Sequence, residues 1–523
     1  MPVPCIDAGL STSTFSANRY SPAALVDDAV TVAGIDLGSN SFHMIVVRRA
    51  GDGKIQVLDK LREPVRLAAG VNGQRELGTE AMKRGWKALE RMGERLRELP
   101  RSHVRAVGTN TLRVAKNGSE FLDRGQELLG HPIQVISGAE EARLIFLGVA
   151  HSDYMESGRR FVMDIGGGST EVIIGEGFRP LVKHSLYMGC VSFSEKYFAD
   201  DKLNPGNFEH AEIAAAKELR AIREQFRKTG WDAAFGASGT IRAVATVVEE
   251  NGWSKTGITL EALTKLKQAI VDEKKLSKLS LRGLDPERAP VFPGGVAVLL
   301  ASFRSLGLES MQAATGALRE GLAYELLGRS HDEDVRDHTM RAFAERYRVD
   351  VAHASRVAST ACLLFSQLEH EWGIRGDDAA RFLIYAATLH EIGMSISYTG
   401  YHKHDAYIIE NAEMPGFSRE EQAMLAAILR AHRRKLRRKD FKHLSAQRQA
   451  LAQSLAVILR LAVSLHRSRT DEALPELKVD VVNENSLLLR FPPGWLKLHP
   501  LLQADLESEA EYLRAVDVEL SFV

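Results

Sequence analysis

The sequence predicts an α/β protein: two domains of like fold, then an all-helical domain and a small α+β unit at the C-terminus. Three observations carry this. The pattern strand, polar glycine turn, strand occurs twice, at GIDLGSNSFHMIVV (34–47) and VMDIGGGSTEVIIG (162–175), with Asp36 and Asp164 at matching places. Strand-like and helix-like segments alternate after each copy, as in paired α/β domains. Beyond Gly328 the residues read as almost continuous helix, rich in His, Arg and Leu. The expected boundaries are a flexible tail at 1–30, α/β domains at 31–143 and 144–327, the helical domain at 328–470, and the α+β unit at 471–523.

Element by element, the tail is rich in Ser, Ala and Thr and is expected to be loose. A strand pair spans Val30 to Arg49 around the bend from Asp36 to Ser41. Residues 81–99 place Met82, Trp86, Leu89, Met92, Leu96 and Leu99 on one helix face, which Pro100 ends. VRAVGTNTLR reads as a strand running into a polar loop from Gly108 to Arg113. A helix rich in carboxylates opens near Ser137 and Gly138. The second half repeats the scheme: a strand pair at 161–176, a long helix near 208–228 with Ile213, Leu219, Ile222 and Phe226 on one face, and two strand–glycine turn–helix stretches, AAFGASGTIRAVA and MQAATGALREGLAYELL. LKVDVVNENSLLLRFPPGW begins the final unit as strands.

Composition narrows the function. Lys+Arg and Asp+Glu are equal at 68 each, so no global field steers a polyanion, nucleic acid is not an expected partner, and any anion site is local. Cys5, Cys190 and Cys362 are few, scattered and without metal-type spacing, which suggests a reducing compartment. No apolar run is read as approaching the ~18–20 residues of a membrane span. The expected location is the cytoplasm, with at most a peripheral association with the inner membrane.

The duplicated bends carry the chemistry. Successive backbone N–H groups in a tight glycine turn converge on an anion, and Ser, Thr or Asn side chains add donors. Gly38, Ser39, Asn40 and Ser41 suit this role in the first copy, and Gly166, Gly167, Gly168, Ser169 and Thr170 in the second. Bare carboxylates beside a phosphate would repel it, so Asp36 and Asp164 gain a purpose only with a hard cation between. Mg²⁺ needs just one or two carboxylates because it keeps several waters.

These motifs resemble the exopolyphosphatase / guanosine pentaphosphatase family, most of all the long bacterial exopolyphosphatases. The matching stretches are DLGSNSFHM, GTNTLR, ISGAEEARLIFLGV, DIGGGSTE, MGCVSF, GASGTI and GALREG, with LHEIG and MPGF extending the match into the C-terminal half. The resemblance implies two actin-like (ribonuclease H-like) ATPase-superfamily domains followed by an HD-like helical domain. It implies Mg²⁺-dependent, processive hydrolysis of terminal phosphate from inorganic polyphosphate, with the 5′-phosphate of guanosine pentaphosphate as the alternative substrate. It also implies a homodimer and stimulation by K⁺. Within SGAEEAR it points to Glu140 as the catalytic glutamate, Glu141 being the alternative; consecutive helical residues point about 100° apart, so both cannot face one phosphate. Glu171 is a second acidic group for metal or water. Asn110 and Arg113 of GTNTLR are substrate-binding candidates, Arg113 by bidentate phosphate contact or, equally, a surface arginine.

In the helical region, His353, His390, Glu391, His404 and His432 resemble the ligands of metal-dependent HD phosphohydrolases. Glu391 replaces an aspartate there, and Ala462 and Val463 stand where a further carboxylate is expected, so the domain is read as without catalysis of its own. The basic run at 430–443, with Arg433, Arg434, Arg437 and Arg438, is either a solvated helix face or a polyphosphate channel. Two other classes compete: a phosphotransferase like the sugar kinases, which needs an adenosine pocket, and a non-catalytic phosphate sensor, which has no use for so many carboxylates.

Overall fold

The computed structural model describes residues 30–49, 55–153, 155, 157–255, 257–329, 335–374, 377–470, 472–483 and 486–523. The tail expected at 1–30 lies outside these, Val30 apart. The described residues fall into two compact units, 30–329 and 335–523.

The first unit holds two sheets of matching topology. Strands β1 (Val30–Leu37), β2 (Phe42–Arg49), β3 (Ile55–Glu63), β4 (Val104–Gly108) and β5 (Ile133–Val135) order as β3-β2-β1-β4-β5. Strands β6 (Arg159–Ile165), β7 (Thr170–Glu176), β8 (Arg179–Leu186), β9 (Ala233–Ala237), β10 (Ile258–Thr259) and β11 (Ser310–Ala313) order as β10-β11-β9-β6-β7-β8. In each sheet a central strand ending in the key aspartate pairs antiparallel with the next strand and parallel with a later one: β1 with β2 and β4, β6 with β7 and β9. Asp36 pairs with His43 across the first hairpin and Asp164 with Glu171 across the second. The bends thus end up at the same corner of each sheet. Both central strands are buried nearly throughout, as strands covered on two faces must be.

Two helices tie the sheets together. The helix Gly138–Ser152, capped by Ser137 through Glu140 N–H, packs on β7 and β8 of the second sheet. The helix Leu318–Arg329 follows the second sheet in sequence yet packs on β1 and β2 of the first. The two cross closely: a Cβ on Gly148 would stand 2.1 Å from Ala317 O, and one on Gly321 1.9 Å from Leu144 O. The expected boundary at 143/144 therefore falls inside one continuous helix.

Local expectations match in part. The first long helix runs Thr79–Leu96 and buries Met82, Leu89, Met92 and Leu96. The loop expected to end VRAVGTNTLR is instead a short helix, Asn110–Val114. The helix expected at 208–228 is two, Pro205–Arg220 and Arg223–Thr229, and Ile213, expected on the buried face, is 48% exposed. One 18-residue window, Ala289–Leu306, reaches a mean hydropathy of 1.4, against the expectation that no run approaches a span; it is 72% buried and packs in the core of the second sheet.

The second unit is helical, from Val335–Arg346 through Ala446–Leu465, followed by a sheet of β12 (Lys478–Asn483), β13 (Ser486–Arg490) and β14 (Glu519–Phe522). Leu477, Leu487, Leu489, Leu506 and Leu513 share one core with Leu364, Leu425 and Leu459 of the helices. The segment expected as a separate unit at 471–523 is therefore part of the helical body.

Candidate active site

The two bends meet. A Cβ on Gly167 would lie 2.8 Å from Ser39 Cβ, and one on Gly168 would lie 2.1 Å from Asn110 Nδ2, so neither position has room for a side chain. Between them is a cavity of about 110 Å³ lined by Asp36, Gly38, Ser39, Asn40, Ser41, Asn110, Asp164, Gly166, Gly167 and Ser169. Ser39 Oγ accepts from Thr111 Oγ1 at 2.8 Å, while Ser41 Oγ and Asn110 Oδ1 are buried without a hydrogen-bond partner. Thr170 does not line the cavity: its hydroxyl donates to Met188 O at 2.5 Å. Gly168 serves by letting Asn110 approach.

The glutamates exchange places relative to expectation. Glu141, not Glu140, lines the cavity. Glu140 is turned away into a buried ion cluster, where Arg143 donates to both its carboxylate oxygens at 2.7 and 2.8 Å and Arg105 stands 3.6 Å off. Glu325 completes this cluster by pairing with Arg105 and Arg143. The cause is helical rotation: one of two consecutive residues faces the cleft and its neighbour points about 100° away. Arg113 donates from Nη1 to Glu141 Oε2 at 3.1 Å and to Ile136 O at 2.9 Å. It is therefore a positioning residue for Glu141, neither a surface arginine nor a lining residue of the cavity.

The site concentrates buried carboxylates. Desolvation, with Glu141 and Asp164 as like-charged neighbours, raises Asp36 well above the aspartate range. Burial and Glu141 push Asp164 up to about 7. Burial, Glu141 and Asp164 likewise raise Glu171, although Ser185 Oγ donates to it at 2.7 Å. Burial raises Glu141 against the pull of Arg113. Asp36 Oδ1 is buried with no hydrogen-bond partner. Carboxylates packed this way ionise together only beside a cation, and oxygen-only donors suit a hard one. The residues present therefore fit Mg²⁺, which Asp36 and Asp164 would hold beside Glu141; Glu171, paired with Asp164 across the hairpin, does not itself line the cavity.

Cationic groups line the same cavity: Arg242, Arg288 and Arg319. Among the described residues, neither Arg242 nor Arg288 has a carboxylate within ion-pair distance, and burial among other cations holds both below the usual arginine range. Arg319 is held by Glu320 at 2.9 Å and by His43 Nδ1 at 2.9 Å, which fixes the proton of neutral His43 on its other nitrogen. Burial and Arg319 lower His43 to about 3. Ser238, Gly239 and Thr240 bring the N-terminus of the helix Ser238–Glu250 to the cavity, and Ala317 and Leu318 do the same for Leu318–Arg329. Aligned helix N-termini favour an anion. Ser238 holds a left-handed φ of 69° there, with its hydroxyl bonded to Ile165 O. The arginines were missed in the sequence although Arg242 and Arg319 end or interrupt two of the motifs, GASGTIR and GALR. His43 was legible from the repeat itself, since it occupies the place of Glu171.

The basic run is not a helix face. The helix Arg419–Ala431 takes in only its first two residues, Arg430 and Ala431, and the run continues as a loop and a short 3₁₀ turn, Arg438–Phe441. Arg433 lies over the Tyr401 and Tyr398 rings, Arg437 pairs with Asp440 at 3.4 Å, Arg438 pairs with Asp517, and Arg434 is exposed.

Comparison with known proteins gives the family. The family model of the Ppx/GppA phosphatase family matches residues 46–330, and that of Ppx/GppA phosphatase, domain III, matches 335–510. The crystal structure of an exopolyphosphatase from Cytophaga hutchinsonii is similar at 25% identity and a TM-score of 0.52, covering 57% of this chain and 98% of that one. A Ppx/GppA family member from Aquifex aeolicus aligns at 27% identity and a TM-score of 0.49, covering 58% and 99%. With a family match over more than half its length, the chain belongs to the Ppx/GppA phosphatase family, hydrolases of phosphoanhydride bonds.

Proposed function

We propose that the enzyme is an exopolyphosphatase that removes terminal phosphate from inorganic polyphosphate with Mg²⁺. The observation that carries this reading is the meeting of the two bends at Gly167 and Ser39 around Asp36, Asp164 and Glu141. The chain end enters between the bends. Arg242, Arg288 and Arg319 offset charge on the transferred phosphoryl, whose equatorial oxygens carry most of it. Glu141, held through Arg113, orients the water for in-line attack and takes its proton. Mg²⁺, when held by Asp36 and Asp164, supplies charge neutralisation and Lewis acidity.

Guanosine pentaphosphate ends in the same anhydride, so the bends themselves do not choose. A second cavity of about 390 Å³ shares Ser39 and Asn40 with the first. Its walls include Val191, Phe198, Leu276, Pro290 and Val291, along with Glu195, Asp201 and Glu287. That lining suits a nucleoside better than a polyanion and supports the nucleotide as the second reading. Turnover of long polyphosphate and of guanosine pentaphosphate, measured side by side, decides. Polyphosphate should win in kcat/KM; preference for the nucleotide by tenfold or more, about 1.4 kcal/mol, overturns the first reading.

A further inference from the structure

The helical unit contains its own group of ligating side chains. His353 lies in the first turn of the helix Val351–Leu368, and His390 and Glu391 stand between the helix Asp377–Leu389 and the 3₁₀ turn Ile392–Ser395. One ligand atom from each lies within 4.8 Å of the others. His353 and His390 are 2% and 1% exposed.

The hydrogen bonding of His390 is that of a metal-ligating histidine. His390 Nδ1 is 2.7 Å from Ala387 O; a carbonyl only accepts, so Nδ1 carries the proton and Nε2 keeps its lone pair. That Nε2 is buried, has no partner, and stands 3.8 Å from Glu391 Oε1. His353 Nε2 stands 4.0 Å from the same oxygen, and its Nδ1 is also buried without a partner. These separations are too long for hydrogen bonds and suit an ion placed between. An imidazole pinned at one nitrogen by a backbone carbonyl, with the other nitrogen buried and unpartnered, is the outer-shell pattern of metal-ligating histidines. His432 repeats it next door: Nδ1 donates to Leu429 O at 2.6 Å, Nε2 is buried and unpartnered, and its ring centroid is 5.7 Å from that of His390. Leaving such buried groups unsatisfied is costly.

We propose that His353, His390 and Glu391 bind one divalent first-row transition ion of the zinc type. Two imidazoles and one carboxylate match the three-ligand zinc sites that keep an open position, and they disfavour Mg²⁺. Ala462 and Val463 add no donor, so the shell has three protein ligands rather than the fuller set whose absence underlies the reading of the domain as without catalysis of its own. Arg469 is the internal competitor. It pairs with Glu391 Oε1 and lies 3.5 Å from Asp350, yet its side chain is 42% exposed and gives the imidazoles nothing. An entering ion displaces it toward solvent.

The test uses the full-length chain carrying Asp36→Asn and Asp164→Asn, so that the carboxylate cleft does not compete. After chelation, one equivalent of zinc is added, the protein is gel-filtered, and metal is counted; cobalt absorption reports nitrogen ligands. The expected result is about one zinc per chain, affinity more than about tenfold weaker in His390→Ala and in Glu391→Gln, and tighter binding in Arg469→Ala. Circular dichroism confirms that each variant is folded, and Glu391→Gln, which preserves shape, stands in where His390→Ala does not fold. No retained zinc, or zinc retained equally in the folded ligand variants, overturns the assignment.

Discussion

Replacing Asp164 with Asn should stabilise the magnesium-free enzyme above neutral pH. Asp164 is buried near Glu141, and its carboxyl is pushed from about 3.9 up to about 7. A gap of about three pH units corresponds to about 4 kcal/mol, at 1.36 kcal/mol per unit. The sign follows from proton binding. Between about pH 4 and 7 the folded state holds a proton that the unfolded chain has released, so stability falls as pH rises through that window and levels off above it. Asparagine is uncharged throughout and escapes the loss; weakening the bond with Ser238 returns about 1 kcal/mol. The variant is therefore more stable by about 3 kcal/mol at pH 8 and less stable by about 1 kcal/mol at pH 4. Thermal melts in chelator at both pH values measure it. Added Mg²⁺ should raise the wild-type midpoint at pH 8 far more than that of the variant. A variant less stable than wild type at pH 8, or a difference that does not change with pH, refutes the reasoning.

Three further outcomes follow from the same geometry. Glu141→Gln should reduce phosphate release by 10² or more while chain binding persists, because the water loses its base; filter binding and phosphate release measure the two separately. Glu140→Gln should act on folding instead, since it strips one member from a buried ion cluster at a cost of about 3–5 kcal/mol, seen in denaturant midpoints. Gly167→Ala should lower kcat with the fold retained, because the added methyl meets Ser39 at 2.8 Å and forces the bends apart; unchanged turnover would mean that their contact is incidental.

The sequence made the bends legible because their chemistry is local. A strand ending in Asp, a glycine turn and a second strand need only neighbouring residues, and the repeat doubled the signal. Ser137 marked its helix start for the same reason. What it hid depends on distant packing. Whether Glu140 or Glu141 faces the cleft is set by how the helix Gly138–Ser152 seats against Gly321, almost two hundred positions away. Arg319 reaches the cleft only because its helix crosses back to the first sheet, and Arg288 only because it lies over Gly239. Ile213 is exposed because its helix buries the stripe Phe208, Ala211, Ala215 and Leu219, and Ile213 lies on the opposite side of the axis.

The most direct measurement is a crystal structure with Mg²⁺ and a short phosphonate-bridged polyphosphate, which the enzyme cannot cleave. The terminal phosphate should lie between Gly38–Ser41 and Gly166–Ser169, with the ion on Asp36 and Asp164 and Glu141 facing the terminal phosphorus. Terminal phosphate bound elsewhere, with both bends empty, contradicts the account.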